Sequence, residues 1–146
     1  MINPVNIADK KFMLACNCSQ SVFSAFAPSY NLDGETAIKI ATAFGGGMAR
    51  CGGTCGAVSG ALMTLGLSHG AATKEGKEET YQMARDFMSR FEKKHGSLLC
   101  RELIGCDIST PEGLQNARDS GVIKSVCPHL VHDAAEIIQT ILADNQ

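Results

Sequence analysis

Seven cysteines are spread through this chain of 146 residues, and two of them, Cys51 and Cys55, fall inside its densest run of glycine. That run, Phe44 to Gly60 (FGGGMARCGGTCGAVSG), holds seven glycines in seventeen residues, between two segments that read as helices. Glycine accepts positive φ and close backbone approach, so the run marks a specialised loop. The thiolate is the form of cysteine that attacks disulfides and binds metal, and the unpaired amides of a helix start favour it. Three cysteines read as lying at such starts: Cys55 after Thr54, Cys100 in the first turn after Ser97, and Cys127 before Pro128. The residue types therefore point to thiol redox chemistry or metal binding. For Cys16 and Cys106 nothing local activates the thiol, and they read as small buried hydrophobes.

Local spacing does not choose between these chemistries. Cys51-x3-Cys55 falls within the range of a zinc ligand pair, yet no second close pair completes it. The clustered cysteine runs of ferredoxins are absent, as are C-x-x-C and the haem-attachment motif C-x-x-C-H. A multidentate site must then be assembled by the tertiary fold. Phosphate binding by the glycine run is rejected, because no Walker lysine follows, no G-x-G-x-x-G occurs and no strand leads in. His129 and His132 share a helix face near Cys127 and could extend a site, although surface histidines are the commoner reading.

The elements that must position these groups read as helices throughout. Phe12, Cys16, Phe23 and Phe26 give one helical segment from about Asp9, as a cap, to Ala27 before Pro28. Asp33 caps a helix over 36–44 that ends on Gly45-Gly46-Gly47. Thr54 is the expected N-cap of a helix from Cys55 to about Ser68, on which Gly56, Ala57, Gly60 and Ala61 make a small-residue face. That face suits close packing, and a homodimer built on it is one reading of the chain. Lys77 to His95 is amphipathic and stops at Gly96. Cys100 rides a short helix, Thr110-Pro111 starts another, and Pro128 is placed in the first turn of the last, with Cys127 as its cap. No strand alternation survives, so the expectation is a single all-α domain, residues 1–146, a bundle of six to seven helices.

With 45% hydrophobic and 19% charged residues, the composition supports a core without disulfides or metal; folding at this length buries roughly 70% of the unfolded surface. A net charge of −2 gives no basic footprint, and aromatics are few, which argues against nucleic acid as a partner. No secretory signal and no membrane span is read, so the expected location is cytoplasmic. In a reducing compartment cysteines serve as ligands or catalytic thiols more often than as a disulfide framework.

Taken in order, Cys18 in NCSQSVFSAF, the block FGGGMARCGGTCGAVSGALMTLG, then GSLLCRELIG and Cys127-Pro128 resemble the C_GCAxxG_C_C family of putative redox-active proteins. The resemblance runs from about Asn17 to Ile141. It carries over Cys18, Cys55 with Gly56, Ala57 and Gly60, Cys100 and Cys127; here a glycine separates Cys55 from Ala57, so the literal Gly-Cys-Ala string is missing. A similar domain occurs in the split-Soret type of cytochrome, with an iron–sulfur centre and haem; without a haem motif, only the iron–sulfur half transfers. The resemblance implies that Cys18, Cys55, Cys100 and Cys127 converge on an iron–sulfur cluster, or zinc as an alternative, for electron transfer to an unknown partner. A metal-free thiol–disulfide enzyme or sensor using Cys51 and Cys55 is the second reading, and Gly56 and Gly60 clear space beside the site in either.

Overall fold

The helix that follows the glycine run carries no charged side chain, and Gly56 to Ala61, Thr64 and Leu65 are all buried along it. A helix apolar on every side belongs inside a bundle, and this one is its axis. In the computed structural model, which describes residues 2–146, it is one of eight α-helices. They are α1 (Pro4–Leu14), α2 (Cys18–Phe26), α3 (Gly34–Ala41), α4 (Gly56–His69), α5 (Lys74–His95), α6 (Cys100–Ile104), α7 (Pro111–Ser120) and α8 (Val122–Asp144). Two short 3-10 turns flank α3, and among the described residues the only β contact is an isolated bridge, Thr54 to Leu99. The count exceeds the expected six to seven because the first segment is two helices.

α2 lies against α4 through glycine. A Cβ on Gly60 would sit 2.9 Å from the Ser19 carbonyl oxygen and 3.1 Å from Val22 Cβ; one on Gly56 would meet Ser19 N at 3.0 Å and Cys18 Cβ at 3.1 Å. The small-residue face expected to serve a homodimer is thus occupied inside the chain. Around it, Phe87 and Phe91 of α5 and Leu130, Val131, Ala134, Ile138 and Ile141 of α8 close the main core. Among the described residues, no helix is long and apolar enough to cross a membrane.

Several helix ends follow the signals in the sequence. Asp33 accepts from Thr36 N at 2.9 Å, Thr110 accepts from Gly113 N at 3.0 Å, and Gly96 stops α5 at φ 87°. Three ends differ from expectation. The chain breaks at Ala15 (φ 150°), and Asn17 with Gln20 forms a reciprocal capping box that restarts it, which places Cys18 in the first turn of α2. α1 itself starts at Pro4 under an Asn3 cap, so Asp9 is interior rather than a cap. The third concerns α8, which begins at Val122 after the left-handed Gly121, leaving Cys127 and Pro128 inside the helix.

α1 is fastened to α8 by polar contacts across the seam. His132 Nδ1 lies 2.8 Å from Asp9 Oδ2 and its Nε2 lies 3.3 Å from Glu136 Oε1, while Gln139 donates to Asn3 at 2.9 Å. The Asp9 carboxylate holds the His132 imidazole above its ordinary value, with Glu136 and Asp133 adding in the same direction. A group raised on folding stabilises the fold below its unfolded value and stops doing so as pH climbs through the folded one. Thermal unfolding followed from pH 5 to 8 should therefore show a downward step above neutral His titration that His132→Asn removes; identical pH profiles for the two proteins would refute the clamp.

Candidate functional site

The glycine run folds as a left-handed turn. Gly46, Gly47, Met48, Ala49 and Arg50 take φ of 65°, 70°, 70°, 49° and 63° in succession. Two of these are glycines, but the three side-chain-bearing residues each pay roughly 1–2 kcal/mol for that conformation. Backbone bonds hold them there: Ala49 N donates to the Ala43 carbonyl (2.8 Å), Arg50 N to Gly45 (3.0 Å) and Gly53 N to Gly47 (2.8 Å). Strain sustained in this way clusters at functional sites.

The turn is fixed to the start of α6. Cys55 N donates to the Leu98 carbonyl at 2.8 Å, Cys100 N to Gly53 at 2.7 Å, and Arg101 donates to Gly52 through both its backbone N (3.2 Å) and its guanidinium (3.1 Å). Gly47 is enclosed by this junction, since a Cβ there would fall 2.6 Å from Gly53 N and 2.7 Å from Cys100 Cβ. The loop thereby ties Cys55, the N-cap residue of α4, to Cys100, the first residue of α6. Thr54 supplies no cap, and no side chain caps α4. Gly56 lets the start of α2 approach, which brings in Cys18. The last of the set, Cys127, comes from the interior of α8.

Cys18, Cys55, Cys100 and Cys127 all line one cavity of about 500 Å³. Its walls are apolar side chains such as Phe12, Ile104, Ile108 and Leu130, and Gly56 forms part of its surface, whereas Gly60 lies one turn further on, against α2. All seven cysteines are free thiols. Cys51 is exposed and, like Cys16 and Cys106, lies off the cavity wall, so the expected Cys51–Cys55 pair does not share it.

Burial outweighs the helix starts in setting the thiol acidities. Cys55 is lifted to about 11 by burial although the amides of Ala57 and Val58 pull the other way, and Cys100 is lifted to about 12 by burial and by neighbouring thiols. Cys18 is raised, first by its interaction with the Cys127 thiol and then by burial, and Cys127 is lowered by that same interaction. The expected easy thiolates at Cys55 and Cys100 are thus neutral thiols in the metal-free protein. Taking four of them as thiolates requires a cation to replace their protons.

The spacing of the sulfurs tests which group fits. Tetrahedral zinc with Zn–S arms of about 2.3 Å needs sulfurs roughly 3.8 Å apart. Among the described residues, no three thiols lie within 4.8 Å of one another. Four thiolates are the usual donor set of tetrahedral zinc and of iron–sulfur clusters alike. The one group that does meet that spacing, His132 with Asp133 and Glu136, is an ion-pair cluster: both ring nitrogens of His132 face carboxylates, and Asp133 faces Lys94 at 3.2 Å and His95 at 2.9 Å. His129 is exposed and lines no part of the cavity.

The sequence model of the C_GCAxxG_C_C family, described as putative redox-active protein, matches residues 16–141. The chain belongs to that family. No curated protein and no solved structure matches it. In this C_GCAxxG_C_C protein the four cysteines carried by the resemblance are the four that reach the cavity, and the three outside the pattern are the three that do not.

What the sequence did not reveal is the rest of the cavity wall. Arg50, Arg118 and Lys124 also line it, from the left-handed turn, α7 and the first turns of α8. They are far apart in the chain and share no motif, so only the fold brings them together. The Asn17–Gln20 capping box was a readable signal for Cys18 at a helix start.

Proposed function

We propose that this protein is an electron-transfer protein whose Cys18, Cys55, Cys100 and Cys127 hold an iron–sulfur cluster. The observation that carries the reading is the meeting in one cavity of four thiols, three from α2, α6 and α8 and one from the N-cap of α4. Four thiolates are the usual ligand set of such clusters. When bound, a cluster would supply one-electron chemistry. The chain's own part is to fix the donors and to exclude water: the Gly47 junction sets Cys100 against Cys55, Gly56 admits Cys18, and the apolar walls shield the centre.

Anaerobic incubation with ferrous iron and sulfide, followed by desalting, should leave iron and sulfide on the protein with visible charge-transfer absorption. Zinc alone should be retained more weakly. A colourless, iron-free protein after this treatment would overturn the reading.

A second reading draws support from the coupling of the Cys18 and Cys127 thiols on the cavity wall, which holds one up and the other down. In it Cys127 attacks a disulfide substrate, Cys18 resolves the mixed disulfide, and the substrate leaves as two thiols while the protein keeps a Cys18–Cys127 bond. Peptide mapping after exposure to oxidised glutathione should then recover that pair; recovery of random pairs, or none, counts against it.

A further inference from the structure

The charged residues on the cavity wall are all of one sign. Arg50, Arg118 and Lys124 line it, and no aspartate or glutamate does, in a chain with 15 acidic residues against 13 basic ones and a net charge of −2. Among the described residues, none of the three makes an ion pair with a carboxylate. Each comes from a different element, and Arg50 is the last residue of the strained left-handed turn, so part of the backbone cost of that turn goes into placing a cation here. The same cavity wall also carries Ile104, Ile108, Leu114 and Ile123.

We infer that the cavity binds a small amphiphilic organic anion beside the four thiols, a carboxylate, sulfonate or phosphate group held by Arg50, Arg118 and Lys124 and an apolar body lying on the isoleucines. Pockets for small organic ligands commonly span roughly 300–1,000 Å³, and about 500 Å³ falls within that range. Arginine pairs are suited to such groups because the planar guanidinium meets two oxygens at once. A recessed, apolar-walled cavity suits a small molecule better than the flat acidic face of a protein. The inference rests on the reading of this cavity as the redox site, and names the class of small molecule that would bind beside it.

The competing account is that the cations only offset the charge of bound thiolates. The two separate in a dye-binding experiment on the metal-free full chain, which does not depend on whether iron binds. Anilinonaphthalene sulfonate is the anionic probe, and phenylnaphthylamine, the same ring system without the sulfonate, is the neutral one. The expected result is saturable binding of the sulfonate, weakened roughly tenfold or more in the triple variant Arg50→Gln, Arg118→Gln, Lys124→Gln, with the neutral dye little changed. All three side chains are exposed, so the variant should keep its helical circular dichroism; if it does not, the single variant Lys124→Gln and the salt dependence of binding to the parent chain decide the matter in the same directions. Equal affinity of parent and variant for the sulfonate overturns the inference, even where the variant loses iron on reconstitution. So does binding of the two dyes with equal strength.

Discussion

Serine in place of any one of Cys18, Cys55, Cys100 or Cys127 is expected to leave the reconstituted protein without its iron, while serine at Cys16, Cys51 or Cys106 leaves the iron in place. The first four residues line the cavity and the other three do not. Loss of a residue that merely supports a metal ligand already costs about 10–100-fold in affinity, so loss of a ligand should exceed that. Iron per chain and visible absorption after desalting measure the effect directly. Cys55, Cys100 and Cys127 are buried, and a serine hydroxyl left without a partner there costs about 1–3 kcal/mol. Alanine variants of the same positions avoid that penalty, and they should lose iron equally while keeping the fold. Full iron retention in any one of the four pairs removes that cysteine from the ligand set. Loss of iron from the Cys51 or Cys106 variants would mean that a different set binds.

The helix periods and caps carried much of the fold in the sequence, as Asp33, Thr110-Pro111 and Gly96 illustrate. They failed where two signals conflicted. Phe12, Cys16, Phe23 and Phe26 keep helical register across a break, so periodicity joined α1 to α2 although Asn17 and Gln20 spell a new start. Pro128 reads as a first-turn proline, yet α8 has already begun at Val122, more than a turn before it; the ring removes one amide donor and crowds the carbonyl of Lys124, beside the cavity. The thiol acidities were misjudged for a reason of magnitude. A helix start favours an anion by about 0.3–1 kcal/mol, up to about 2. Raising Cys55 from 9.0 to about 11 corresponds to roughly 2–3 kcal/mol at about 1.4 per unit, so burial prevails. The ordered cysteines, by contrast, were legible through the family resemblance, because their order along the chain can be read even when its geometric purpose cannot. The cations Arg50, Arg118 and Lys124 left no such string.

Gly60→Leu should destabilise the protein severely, and Gly66→Ala, on the same helix, should stabilise it. At Gly60 a Cβ already falls 2.9 Å from a carbonyl oxygen of α2, and that oxygen belongs to a backbone that cannot swing aside. Forcing larger groups into a packed core costs typically about 1–3 kcal/mol, and a leucine against backbone should reach about 3 or more, a fall in Tm on the order of 10 °C. Gly66 is exposed, and nothing lies within 4 Å of where its Cβ would be. Alanine there should add about 0.5–1 kcal/mol from helix propensity alone. Thermal unfolding of the two variants beside the parent separates internal packing from a dimer face. Were the Gly60 face a contact between copies, the leucine variant would keep its Tm at low concentration and halve its mass in solution. The contacts of Gly60 predict instead an unchanged mass and a lower Tm. They also predict a second loss: Ser19, which Gly60 touches, adjoins Cys18, so displacing α2 should draw one thiol out of the cavity and iron retention should fall with it, whereas Gly66→Ala should reconstitute like the parent.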